Sequence, residues 1–360
     1  MSRPIITQEV IQALIDTNRA HRRDTIAPAK RLEAQLITVT GQPKVEYKLK
    51  STDHIDNGYE PIEFNSSAMA QMLSKLNVRT DFYSRCPAHL QEQIFNWFAG
   101  HSKTECLLRL DPKKDMALPE NAGKPTTIRA ALTTLYGIVD DHELFPLIIE
   151  AIEGQNAGFV EFRHDEKVTQ MVVEFPDTEV IHEGVTYIGG LVITNSETGH
   201  SSVWVEPFVR AGSAEYVNRE SLQKQGVQCR FVHRGKQPHI TGYVNEIKKL
   251  AERAKDISQV GITQLLQQIT EAIPTEHALA IAKAVDGMPR RFLDILEEEW
   301  EDIQAVTRFN VAKRIIELAK DLPLFQRIQV EQGAGKVVKL FDGFQARMDE
   351  IMEDLNGQEV

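Results

Sequence analysis

The chain is predicted to be an α+β protein: an antiparallel sheet of about five strands covered by helices, followed by a helical C-terminal third. Two observations carry this. Between Gly158 and Arg234 short segments alternate apolar and polar residues, separated by Asp-Glu, Pro-Asp, Asn-Ser-Glu-Thr-Gly and Gly-Lys-Gln-Pro breaks, which is the pattern of an antiparallel meander. Past Gly242 the period becomes helical, with Pro274, Pro289 and Pro323 standing where new helices begin. A composition of 42% hydrophobic and 26% charged residues belongs to a folded globular chain, and 360 residues can bury a real core.

In chain order, Val10, Ile11, Leu14 and Ile15 recur at helical spacing behind Thr7, predicting a first helix from Thr7 to His21. "QLITVTG" and "KVEYKLK" alternate as strands around a Gly-Gln-Pro turn. "FNSSAMAQMLSKL" is a helix capped by Asn65 or Ser66, and "CPAHLQEQIFNWFAG" a second one between Pro87 and Gly100, with "NVRTDFYSR" as their connection. "TECLLRLD" reads as a strand, Pro112 to Pro125 as a loop, and a helix begins near Asp140. Five strands follow: "GFVEFRH", "VTQMVVEF", "VTYIGGLVIT", "SSVWVEPFVRA" and "VQCRFVHR". The C-terminal helices are "VNEIKKLAERAKDI", "GITQLLQQITEAI", "TEHALAIAKAV", the long stretch from Pro289, and "KVVKLFDGFQARMDEIMEDL", with "EQGAGKVV" as a turn between helices. The division is then 1–60 for an N-terminal helix and hairpin, 61–238 for the α+β core, and 239–360 for the helical region.

No stretch approaches the roughly 18 uninterrupted apolar residues of a membrane span, and residues 1–25 are too polar for a signal peptide, so a cytoplasmic protein without membrane contact is expected. Three scattered cysteines without a CxxC pair predict reduced thiols. A net charge of -11 excludes binding of nucleic acid over the whole surface, because such binding comes from phosphate neutralisation by Lys and Arg. The charge is uneven, however. Asp294 to Asp302 is densely acidic, whereas Ser221 to Asn245 contains no carboxylate and carries Lys224, Arg230, Arg234 and Lys236.

The polar loop "NSETGHSS" between two strands offers Ser196, Glu197, His200 and Ser201, but a nucleophile, its base and an orienting group usually come from separate elements. Asn, Ser and Gly are also what tight turns select, so the loop reads as a turn with local caps. Cys229, His233, His239 and His200 have no tight chelating spacing. "EQGAGKVV" lacks the spacing and the Ser or Thr of a phosphate loop. Glu161, Asp165, Glu166, Lys167 and Glu174 read as solvated hairpin charges rather than a metal-dependent nuclease site. No metal or cofactor is expected, and a non-enzymatic role is favoured. The acidic helix places Leu293, Leu296, Trp300 and Ile303 on one stripe, the alternative being a protein-protein module.

In "VQCRFVHRGK" Arg230, Val232 and Arg234 share one face and Cys229, Phe231 and His233 the other. The neighbouring "VWVEPFVR" places Trp204, Glu206, Phe208 and Arg210 on a single face. Aromatic rings beside guanidinium groups are how single-stranded nucleic acid is held without sequence preference. Arg109, Arg129 and Arg163 extend such a track, and Lys236 continues the basic stretch.

Several segments taken together, "FYSRCPAHLQEQIFNWF", "CLLRLD", "TIRAALTTLYGIVDDHELF", "GLVITNSETGHSSVWVEPFVRA", "RFVHRG" and "AVTRFNVAKRIIELAKDLPLFQRIQVEQGAGKVV", resemble the phage- and plasmid-borne family catalogued as domain of unknown function 932. The likeness runs from about Phe64 to Val338, with Arg109, Arg129, Asn195, Ser196, Glu197, His233, Arg234, Asn310 and Gly335 among its markers. After "VEPFVRA" the family often continues with a Cys and an Asn-Gly, where this chain has "GSAEYVNRES". The resemblance implies a mobile-element protein and brings no established activity. The expectation is a protein binding single-stranded nucleic acid through Arg109, Arg129, Trp204, Phe208, Arg210, Arg230, Arg234 and Lys236, as a homo-oligomer engaged in recombination or strand annealing.

Overall fold

The computed structural model describes residues 23–50, 59–111, 124–212, 214–217, 230–235, 240–268, 278–283, 288–299 and 307–338. The expected first helix, Lys236, Trp300, Cys229 and His239 lie outside them. The fold is α+β, but with two sheets where the local pattern suggested one core sheet.

The first sheet is mixed and six-stranded: β1 (Arg23–Pro28), β2 (Leu32–Val39), β3 (Gln42–Lys50), β4 (Tyr59–Phe64), β5 (Glu105–Leu110) and β6 (Thr126–Thr133), in the order β1-β5-β6-β4-β3-β2. Only β4 and β6 run parallel. The β2–β3 turn falls on Thr40-Gly41 rather than on Gly-Gln-Pro, because both turn residues take positive φ (49° and 81°), and Gln42 and Pro43 already pair with Val39 and Thr38. The hairpin thus continues directly into the sheet that holds β4 to β6.

Against this sheet pack α1 (Ser66–Lys75) and α3 (Ala88–His101), linked by a short helix α2 (Thr80–Arg85) where a connection was expected. Asn65 caps α1, its side chain accepting from Ala68 N–H at 2.7 Å. These two helices, whose place in the chain order suggests the meander as their partner, cover the first sheet. Ala68, Met72, Leu73, Phe95 and Ala99 share one buried cluster with Leu32, Ile62, Leu108 and Ile128 of the first sheet. Removing each such large side chain from water stabilises the fold by about 1.5–3 kcal/mol. Helix α3 also closes the free edge of β2: Asn96 brackets Ala34, donating to its carbonyl at 2.8 Å and accepting from its N–H at 2.7 Å.

The second sheet is an antiparallel meander in which four expected strands, β7 (Gly158–His164), β8 (Thr169–His182), β9 (Val185–Asn195) and β10 (Val203–Ala211), are joined by an unexpected one, β11 (Ala214–Val217), in the order β11-β10-β9-β8-β7, while the expected fifth strand "VQCRFVHR" contributes two paired residues. A two-residue strand, β12 (Arg230–Phe231), pairs with the start of β10. One face carries Met171, Val173, Leu191, Ile193 and Val205, covered by α4 (Asp141–Ile152) and α5 (Ile240–Gln268).

Beyond them α6 (Ala278–Lys283), α7 (Arg290–Glu299), α8 (Arg308–Leu318) and α9 (Leu324–Val338) form a further cluster with Tyr187, Val209 and Ala211. Phe292 and Leu296 are buried within it and Leu293 packs against it, so this part of the acidic helix faces its own fold, while Trp300 and Ile303 lie outside the described residues. "EQGAGKVV" is not a turn: Gly333 and Gly335 are buried inside α9. Among the described residues no helix is long and apolar enough to cross a membrane.

Candidate functional site

The loop Asn195–Ser202 joins the two sheets. Asn195 donates to the Val139 carbonyl at 3.0 Å and to Asp141 at 2.7 Å, and Asp141 also accepts from Thr169. Glu197 accepts from the Asp141 N–H at the start of α4 at 3.0 Å, an anion placed at a helix N-terminus, and pairs with Arg129 of β6 at 3.2 Å. Its carbonyl accepts from Arg109 of β5 at 2.9 Å, while the Ser196 carbonyl accepts from the Tyr136 hydroxyl at 2.7 Å. Gln71 of α1 donates to the Thr198 carbonyl at 2.9 Å. Asn195, Ser196, Glu197 and Thr198 are all buried. A local turn does not describe this loop, since its partners come from β5, β6, α1, α4 and β8.

Beside the joint opens a cleft of about 400 Å³. One wall is a single face of α9, where Phe325, Ile328, Gln329 and Gln332 follow at three- and four-residue spacing. The other is the end of the β9–β10 hairpin, with Thr194, His200, Ser202 and Trp204. Arg230, His233 and Tyr136 complete it.

The Arg230 guanidinium lies 5.3 Å from the Trp204 ring centre and its Nε donates to Ser202 Oγ at 3.2 Å. Tyr136 and His233 stack with centroids 5.0 Å apart and planes 13° apart. His200 meets Phe325 edge-on at 5.9 Å, and Lys167 stands 5.8 Å over the same ring. The cleft shares Tyr136, Gly199 and His200 with a wider groove of about 770 Å³ that runs past Lys167 to Ser67, Gln71 and Lys75 of α1.

Burial pushes His233 down to about 4, below the ordinary imidazole range. Burial, reinforced by Lys167, also lowers His200. Both rings are therefore neutral at pH 7, and the positive charge on these walls comes from Arg230, Lys167 and Lys75. Among the described residues no group of three His, Cys, Asp or Glu is placed to hold a metal ion. The hairpin acids have other work. Glu161 pairs with Arg163, Glu174 with Arg210, and Asp165 accepts from the Lys167 and Val168 N–H groups.

Of the residues read from sequence, Trp204 and Arg230 meet on the cleft wall, and Arg234 is exposed, its backbone bridging to Tyr136. Four others are corrected from an exposed track to the interior. Arg109 is 1% exposed and held by Asp24 at 3.1 Å, Asp140 and the Glu197 carbonyl. Arg129 is held between Asp111 at 3.3 Å and Glu197. Phe208, 0% exposed, packs with Val160, Val172 and Val192. Arg210, 3% exposed, forms a two-pronged pair with Glu174 at 2.6 and 3.0 Å.

Trp204, Glu206, Phe208 and Arg210 do share a face, yet α9 crosses that face, with Gln332 donating to Glu206 at 3.1 Å and Glu331 facing Arg163 at 3.4 Å. Sequence reading missed Phe325, Gln329 and Gln332. Their signal was present: glutamines recurring beside apolar residues on one face of an otherwise buried helix.

The fold and site define an α+β protein whose two sheets are locked by a buried polar loop and whose open cleft is aromatic and cationic. No protein-family model, curated protein or solved structure matches the chain.

Proposed function

We propose that this protein binds single-stranded nucleic acid along the groove that runs from Lys75 past Lys167 and His200 to Trp204 and Arg230. The observation that carries the reading is Arg230 lying over Trp204 on the cleft wall. An aromatic ring offers any base a stacking surface, at about 1–3 kcal/mol per base, and the neighbouring cation receives the phosphate. Lys167 over Phe325 repeats the pairing of cation and ring on the opposite wall. Because the chain as a whole is acidic, contact is confined to this groove and a strand is gripped over a few nucleotides only. Recombination or strand annealing by a homo-oligomer is the form we favour, and that finer role rests on the resemblance to phage- and plasmid-borne proteins.

The test is binding of a labelled single strand across a salt series. Contact by Lys75, Lys167, Arg230 and Arg234 predicts a log–log slope of about -2 to -3, at roughly 0.7 per neutralised phosphate. In an Arg230→Ala/Arg234→Ala variant the slope falls by about 1.4 on the same basis. Absence of binding at low salt, or a slope unchanged in the double variant, refutes the proposal.

A further inference from the structure

We infer that the cleft selects a base bearing an exocyclic amino group, such as cytosine, adenine or guanine, over thymine and uracil, the amine donating to Nε2 of His233. The inference rests on the single-strand reading above and adds a preference to it.

His233 is 7% exposed and lines the cleft. Its Nδ1 lies 3.2 Å from the Gly137 carbonyl oxygen. A carbonyl only accepts, so Nδ1 carries the ring proton and Nε2 is a bare lone pair. Turning the ring over would put Cδ2 in place of Nδ1 and forfeit the bond to Gly137, so the stacked ring keeps Nδ1 on the carbonyl. Nε2 is buried and has no hydrogen-bond partner among the described residues. Buried acceptors are normally satisfied, and since His233 is one of the residues lining the cleft, the missing donor is assigned to what the cleft holds. Burial also keeps the ring neutral at ordinary pH, so Nε2 does not become a donor.

The ligand must then present an N–H that reaches a recessed atom. The amine of cytosine, adenine or guanine projects beyond the ring and does so. Thymine and uracil carry their ring N–H between two carbonyl oxygens, whose lone pairs would be turned toward Nε2. The surrounding groups suit a planar heterocycle: the Trp204 ring offers a stacking face, and the amides of Gln329 and Gln332 line the opposite wall. The cleft, at about 400 Å³, lies in the range of small-ligand sites, roughly 300–1,000 Å³.

The experiment compares oligo-dC with oligo-dT of equal length on the full chain at one salt concentration, by fluorescence anisotropy. Satisfying one buried acceptor predicts about 10-fold tighter binding of oligo-dC. His233→Phe keeps a flat ring against Tyr136 and removes the acceptor, so the ratio of oligo-dC to oligo-dT affinity falls to about 1. Should that variant fail to fold, an oligomer of N4,N4-dimethylcytosine decides the matter on the wild-type protein, because it keeps the ring and lacks the donors; it is expected to bind as oligo-dT does. Equal binding of oligo-dC and oligo-dT by the wild type, a ratio that survives in His233→Phe, or a dimethylated oligomer that binds as well as oligo-dC overturns the inference and leaves strand binding standing. If neither homopolymer binds at low salt, both readings fall.

Discussion

Replacing Arg109 by Leu separates an arginine that holds the fold from one that faces the groove. In the wild type its guanidinium reaches Asp24 at 3.1 Å, Asp140, and the Glu197 carbonyl at 2.9 Å, from a side chain only 1% exposed. Removing one partner of a buried ion pair costs about 3–5 kcal/mol, because the charge left behind loses its compensation. Here the carboxylates left behind are those of Asp24 and Asp140, with side chains 25% and 19% exposed, and water recovers part of their hydration. The cost therefore sits near the lower end, about 3 kcal/mol, out of a total stability on the order of 5–15 kcal/mol. With a urea dependence of about 3 kcal/mol per molar for a chain of this size, the unfolding midpoint falls by about 1 M.

The assay is urea unfolding followed by far-UV circular dichroism, with Arg230→Leu as the comparison. Arg230 is exposed, and its replacement is expected to change stability by less than about 0.5 kcal/mol while weakening strand binding. An Arg109→Leu protein that unfolds at the wild-type midpoint yet loses binding would show that Arg109 serves a ligand after all, and would refute the assignment of the joint as structural.

Gly190→Ala places a Cβ 2.1 Å from the Val173 carbonyl oxygen and 2.5 Å from the Phe208 ring, and since the carbonyl belongs to the β8 backbone it cannot give way. A loss of about 3 kcal/mol is expected in thermal or urea unfolding, and a variant within 1 kcal/mol of the wild type contradicts the close approach of β8 and β9. His233 makes stability depend on pH in a known direction. Its folded-state value is about 4 against an ordinary 6.5, so the folded chain refuses a proton that the unfolded chain accepts, and stability present above pH 6.5 is lost as pH falls toward 4. That amounts to about 2 kcal/mol by pH 5 and about 3 kcal/mol in full, and comparing unfolding at pH 7 and pH 5 in the wild type and in His233→Phe isolates it.

The strands of the second sheet were legible because their breaks are polar and their residues alternate, but the number of sheets was not. Pairing of β1 with β5 joins Arg23 to Leu110, and pairing of β4 with β6 joins Ile62 to Thr126; neither leaves a local period. Helix boundaries failed where glycine was read as punctuation. Gly261 had divided one helix into two, whereas α5 runs unbroken from Ile240 to Gln268. A Cβ at Gly261 would stand 3.0 Å from Val209, so the residue serves close packing of helix on strand. Gly333 and Gly335 in α9 were misread in the same way.

For the site, period two correctly grouped Trp204 with Phe208 and Arg210 but could not say which part of that face is covered. The cover is α9, more than a hundred residues later in the chain. Arg210 sits mid-sheet, where Glu174 reaches it from two strands away across the row in which Gly190 has no side chain, and a buried arginine with a buried carboxylate is the outcome. Arg230 stands at a different place. Its strand has two paired residues and ends the row, so Phe231 and His233 turn inward while Arg230, Val232 and Arg234 are left outside. Each strand carries an arginine at an alternating position, Arg210 and Arg230, and distance from the sheet edge separates the buried cation from the exposed one. That distance is a property of pairing, so it enters with the assembled sheet and has no counterpart in the alternation of the sequence.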